Sequence, residues 1–173
     1  MKRISVFVSY SRKDKKWLDL LLVHLKFLEQ RYSFSIWVDE DIKPGSDWKA
    51  EISNAMESAK VAILLVSAHY LSSDFINTEE LPSLLAAAKE EGAAILPLIV
   101  SHCMFVETEA LSKFQSVNPP TKPLTEMLEG ERDALFVKVT QATMHALVQE
   151  IPINTIRKRR TKQNSHAIEN QLR

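Results

Sequence analysis

Three glycines in 173 residues, Gly45, Gly92 and Gly130, lie too far apart to write either G-x-G-x-x-G or G-x-x-x-x-G-K-[ST]. A glycine-cradled phosphate site is excluded. The single cysteine, Cys103, excludes an internal disulfide framework and any multi-thiolate zinc site. Long apolar runs are missing too: the longest, Ala93 to Val100, is too short to span a bilayer. Lys2-Arg3 leads into a short alternating run where a signal peptide would carry its apolar core. Nor is there an excess of charge, since 22 basic and 22 acidic side chains cancel. No global field draws the chain to nucleic acid or membrane. The expectation is a soluble protein of a reducing compartment, most simply cytoplasmic.

What is present is an ordinary globular composition, 45% hydrophobic and 25% charged, in a length suited to one domain with a tail. Short β-branched runs alternate with segments of helical period. Ile4 to Ser9 reads as a strand. From Asp14 to Gln30, Trp17, Leu18, Leu21, Leu25 and Leu28 share one helical face. Phe34 to Val38 reads as a second strand, followed by the loop Asp39 to Ser46. Ser46 or Asp47 can cap a helix carrying Trp48, Ile52, Ala55, Met56 and Ala59. Val61 to Val66 is continuously apolar, as a central parallel strand covered on both faces should be. A polar stretch, Ser67 to Thr78, precedes a helix with Leu81, Leu84, Leu85 and Ala88. Ala94 to Val100 reads as an edge strand, because Pro97 has no N–H to give a ladder. Residues 101–128 read as irregular, and Glu131 to Gln149 as a last helix.

Such alternation predicts an α/β fold, a doubly wound, flavodoxin-like parallel sheet of four to five strands in the order 2-1-3-4-5 with helices on both faces. The domain is expected over 1–150. Residues 151–173 carry Arg157, Lys158, Arg159, Arg160, Lys162 and Arg173 against one acid, Glu169, and read as a basic tail or linker. The other sixteen basic and twenty-one acidic groups make the domain itself acidic by five.

An open parallel sheet binds ligands beyond the carboxyl ends of its strands, where the strand order reverses. Two segments would empty into that crevice, Ser9 to Asp14 and Ser67 to Glu79, and both are rich in hydroxyls. A phosphoacceptor site would need an Asp after the third strand, where Ser67 stands. A flavin phosphate loop after the first strand is absent. The five histidines are scattered without metal-ligand spacing, and a Ser9 or Ser67 triad with His69 lacks a nucleophile elbow. No metal is expected. Glu79 and Glu80 open a helix, where the dipole alone favours acids.

Val6-Phe-Val-Ser-Tyr-Ser-Arg-Lys-Asp14 resembles the first box of the TIR (Toll/interleukin-1 receptor/resistance protein) domain. Trp37-Val-Asp39, Ile42-Lys-Pro-Gly45, Trp48, Glu51-Ile52 and Ser58-Ala59 are similar to the family's second strand, BB loop and following helix. Val66-Ser67, Tyr70-Leu71, Ser73, Phe75 and Glu79 resemble the third-strand segment of its bacterial-type, NAD-cleaving branch. Ile95 to Ile99, Cys103 and Phe105 fit the next strand. The resemblance covers about 1–148.

The resemblance implies an NAD+ nucleosidase that cleaves the nicotinamide–ribose bond, giving nicotinamide and ADP-ribose or a cyclic ADP-ribose. NAD+ is then the substrate, and no cofactor is expected. The implied role is an immune, anti-phage or virulence effector activated by self-association with other TIR domains. A glutamate four residues after the aromatic is the family's catalytic residue, which places the role on Glu79. The family's Trp-Cys pair reads Phe75-Ile76 here. Because the acid is doubled, Glu80 is the lesser candidate. Ser9, Tyr10, Ser11, Arg12, Trp37, Lys43 and Phe75 are the expected substrate-binding residues. Asp39, Ile42, Pro44 and Gly45 of the BB loop are the expected self-association residues. The alternative is a scaffold that recruits other TIR domains through that loop and does no chemistry.

Overall fold

Along the central strand every second side chain enters the same core, so one strand builds two cores at once. In the computed structural model, which describes residues 5–39 and 45–148, this strand is β3, Ala59–Val66. Val61, Ile63 and Leu65 pack on one side with the first and last helices. Ala62, Leu64 and Val66 pack on the other. β1 (Ser5–Ser9) and β4 (Ala94–Ile99) flank it, and β2 (Ser35–Trp37) pairs with the far side of β1. All pairings are parallel and the order is β2-β1-β3-β4. The chain leaves β1 toward β2 on one side and β3 toward β4 on the other. The order therefore reverses between β1 and β3, as expected.

The fifth strand is not formed among the described residues. Val117 N–H donates to the Pro97 carbonyl, and the Asn118 amide takes the Ile99 N–H and gives one back to the Ile99 carbonyl. An irregular segment thus satisfies the edge of β4 in place of a strand. Pro97 sits on that edge strand, where its missing N–H costs no ladder bond.

Helix α1, Lys15–Arg31, buries Trp17, Leu18, Leu21, Leu25 and Leu28, the face its spacing predicts. α6, Glu129–Val148, lies along it on the same side of the sheet, burying Leu135, Phe136, Val139, Thr143 and Leu147. The Arg132 guanidinium lies 4.9 Å from the Trp17 ring centre and ties the two helices. On the opposite side, α2 (Trp48–Ser58) starts at Asp47, whose side chain accepts the Ala50 N–H at 3.3 Å. α3 is the single turn Ala68–Leu71. α4, Leu81–Glu91, ends on Gly92 at φ +73°, a conformation that favours glycine. α5, Glu109–Ser112, is a short turn within the irregular stretch before α6. Among the described residues no helix is long and apolar enough to cross a membrane. The basic tail, 151–173, lies outside the described residues.

Candidate functional site

The alternation that buries Phe7 against α2 and α4 carries Ser9, two residues on, to the same face of the sheet. There the Ser9 hydroxyl meets the Tyr70 hydroxyl at 2.9 Å, with both residues buried. Tyr10 points to the other face and donates its hydroxyl to Asp39 at 2.9 Å. Ser11 contributes a carbonyl that accepts the Asp14 N–H, and its side chain caps nothing. Arg12 is exposed and stands 3.8 Å from Asp39, a solvated contact of small energy.

The end of β3 is held from below. Ser67 donates its hydroxyl to Asp14 at 2.5 Å and accepts the Tyr70 N–H at 3.0 Å, which starts α3 and delivers the tyrosine ring into the core. After α3 the backbone forms a π turn over Ile76–Glu80, in which Leu81 N–H reaches the Ile76 carbonyl. Pro82 supplies a physical reason. It has no N–H to offer Thr78, and its ring would press on that carbonyl in a regular helix. A π turn holds one residue more than an α turn. The buried acid is therefore the fifth residue after Phe75, and the fourth is exposed. Glu80 is buried at 7% exposure, while Glu79 is exposed.

Burial raises the Glu80 pKa to about 7. The Ser9 hydroxyl draws it back down by hydrogen bonding, and the nearby Asp39 charge adds to the rise. Tyr70 is raised beyond the ordinary tyrosine range by its burial, then by Glu80, with Ser9 opposing. Two carboxylates from distant segments thus share one electrostatic site, and one of them changes charge near neutrality.

The aromatic candidates divide. Trp37 stacks on Phe7 across the β1–β2 ladder, ring centres 5.1 Å apart, which commits one of its faces to packing. Phe75 is half-buried and meets Trp48 at 5.5 Å in a tilted pair, with Trp48 still 45% exposed. Gly45 stands at φ +83°, as a turn glycine does. Lys43, Ile42 and Pro44 lie outside the described residues. Sequence reasoning placed Tyr70 in a segment emptying into the crevice but without its bond to Ser9, assigned Trp48 only a helix face, and placed Asp39 in the loop without its bond to Tyr10. Pro82 just after the acidic pair was the available signal for Glu80. Among the described residues no group of three or more metal-ligating side chains gathers. A surface groove of about 420 Å³ lined by Leu85, Lys89, Lys113 and Phe114 lies elsewhere.

The model of the TIR domain family matches residues 6–128. The uncharacterized protein y4lF of Sinorhizobium fredii is 28% identical over 142 residues, 82% of this chain and 43% of that protein. A Methanobrevibacter olleyae protein named probable 2' cyclic ADP-D-ribose synthase TcpO is 30% identical over 125 residues, 72% of this chain and 34% of that protein. The chain spans less than half the length of these curated relatives. Among solved structures, the TIR domains of the activated Roq1 resistosome recognising the effector XopQ align with a TM-score of 0.51 at 16% identity. That match covers 79% of this chain and 80% of the other, and it bears on the fold alone. Family match, strand order and the crevice where that order reverses agree, and the chain belongs to the TIR domain family.

Proposed function

We propose that this chain cleaves the nicotinamide–ribose bond of NAD+, with Glu80 as the reacting carboxylate. One observation carries the assignment to Glu80. It is the acid buried beside Ser9 at the strand-order reversal, while Glu79 faces solvent. The name of the Methanobrevibacter olleyae relative supports NAD+ as the substrate class. When the C–N bond breaks, its electron pair leaves with nicotinamide, which departs neutral and needs no proton. The ribose carbon is left cation-like, and one carboxylate beside it suffices to stabilise that charge. Water then attacks the carbon to give ADP-ribose, or a hydroxyl of the same molecule attacks to give a cyclic ADP-ribose. The attacking oxygen loses its proton to Glu80 or to solvent. The Trp48–Phe75 pair offers aromatic surface to a planar ring, and Arg12 a positive charge to the diphosphate.

The biological reading that goes with this chemistry is an immune, anti-phage or virulence effector that works as an assembly of TIR domains. The test is nicotinamide release from NAD+ by the chain at high concentration, beside Glu80→Gln and Glu79→Gln. Glu80→Gln should lose roughly a hundredfold or more, while Glu79→Gln stays within about threefold. Loss confined to Glu79→Gln would return the role to the exposed acid. No release from the unmutated chain, even when forced to cluster, would favour the TIR–TIR scaffold.

A further inference from the structure

The hydroxyls of Ser9 and Tyr70 come from elements far apart in sequence and meet with almost no solvent access, at 1% and 0% exposure. We infer that Tyr70 is a positioning residue: its hydroxyl donates to Ser9 Oγ, and this aims the single Ser9 proton at the Glu80 carboxyl. The inference deepens the proposed reading of Glu80, and its central claim can be examined without NAD+.

The direction of the relay follows from counting donors. A serine hydroxyl has one proton to give. An ionised carboxylate can only accept, so against Glu80 in that form the Ser9 proton is committed to the carboxylate. Ser9 must then accept from Tyr70. In the reverse arrangement Ser9 donates to Tyr70, and the phenol proton needs another acceptor in a buried site. Among the described residues Tyr70 Oη has Ser9 as its hydrogen-bond partner. Leaving that proton unpaired would be costly. The polarity Tyr70 to Ser9 to Glu80 therefore favours the charged carboxylate, against the burial that disfavours it.

The ring is held for this purpose at both ends. Its backbone N–H is fixed by Ser67 Oγ at 3.0 Å, and its hydroxyl by Ser9. The groups that face the Glu80 carboxyl are Ser9 from β1, Tyr70 from α3 and Asp39 from the segment after β2. Asp39 in turn accepts from Tyr10 and lies near Arg12. Asp39 disfavours a charged Glu80, and the hydroxyl relay is the opposing influence from this set.

The experiment is a carboxyl-carbon NMR titration of the chain labelled at glutamate Cδ, with Glu80 assigned by its disappearance in Glu80→Gln. Tyr70→Phe keeps the ring and deletes one oxygen, so it should fold, as a thermal transition would verify. It should raise the Glu80 midpoint by roughly half to one pH unit. The same change in a Ser9→Ala background should move it by less than half as much, because Tyr70 acts through Ser9. Installing 3-fluorotyrosine at position 70, a stronger donor of nearly the same shape, should lower the midpoint. The rising limb of the pH–activity profile should shift in parallel. An unmoved midpoint in Tyr70→Phe, or an equal shift with and without Ser9, would overturn the relay. A chain that releases no nicotinamide yet shows these shifts would sink the NAD+ reading and leave the relay standing.

Discussion

Ser67 donates its hydroxyl to the Asp14 carboxylate at 2.5 Å, joining the end of the central strand to the turn that opens α1. The same oxygen accepts the Tyr70 N–H, so one buried side chain closes two connections below the crevice. Ser67→Ala removes the N-cap of α3 and leaves the carboxylate of Asp14, at 6% exposure, without this donor. A buried acceptor stripped of its partner together with a lost cap should cost about 2–4 kcal/mol. Denaturant unfolding should show this as a lower midpoint with unchanged slope. A loss below about 0.5 kcal/mol would mean that water replaces Ser67 at Asp14.

With Glu80 as the proposed reacting acid, activity and stability should oppose each other in pH. Its pKa of about 7 in the folded protein lies above the ordinary 4.5, so between these values the native state holds a proton that the unfolded chain has released. Stability from this group is therefore full below about pH 4.5 and is lost as pH rises through 7. The amount is about 3 kcal/mol for a site this buried. The carboxylate that the proposed cleavage requires would appear over the same upper range. Nicotinamide release should climb with a midpoint near pH 7, while the unfolding free energy falls relative to that of Glu80→Gln. Parallel stability curves for the two proteins between pH 4.5 and 7 would refute the assignment.

The half-exposed Trp48 offers a separation of binding from chemistry. It packs against Phe75 and carries Lys49 over its ring at 5.5 Å, yet keeps 45% of its surface in water. Trp48→Ala should therefore cost little stability, about 1 kcal/mol for the lost aromatic pair. If this ring holds a planar part of the substrate, KM should rise several-fold with kcat nearly unchanged. A fall in kcat at constant KM would place Trp48 with the reacting atoms instead.

The fold was legible where one physical rule acts alone. The 3.6-residue spacing of Trp17, Leu21, Leu25 and Leu28 is the buried face of α1, and the unbroken run Val61–Val66 is the twice-covered strand. Phe34 and Val38 are buried as their residue types suggest, but they lie outside the β1–β2 ladder, so β2 is shorter than its hydrophobic run. The position expected for a fifth strand is taken by side-chain bonding from Asn118, which no periodicity announces. The candidate site was legible as a place in the topology, the reversal between β1 and β3. Its polar connections were not, because Ser9–Tyr70, Asp14–Ser67 and Tyr10–Asp39 join segments whose distances in sequence carry no pattern.

The choice between Glu79 and Glu80 turns on one residue of helical register, and that register can be edited. The π turn over Ile76–Glu80 behaves as an α-helix with one residue inserted. Deleting Thr78 removes the extra residue and places Glu80 four positions after Phe75, so an α-helical path brings the same carboxylate to the same side. Thr78 is exposed and its hydroxyl donates to the Asp74 carbonyl within the same turn, so little packing is lost. The shortened chain should fold with a thermal midpoint several degrees below the parent's, because on an α-helical path the Pro82 ring presses on the Asn77 carbonyl. It should release nicotinamide within about tenfold of the parent's rate and still be silenced by Glu80→Gln, allowing for the modest shifts that register edits leave at a site needing sub-ångström placement. A folded but inactive deletion variant would mean that the π turn itself, and not only the position of the carboxylate, is required. Activity transferred to Glu79 would show that residue to be the reacting acid and the five-residue spacing to be incidental.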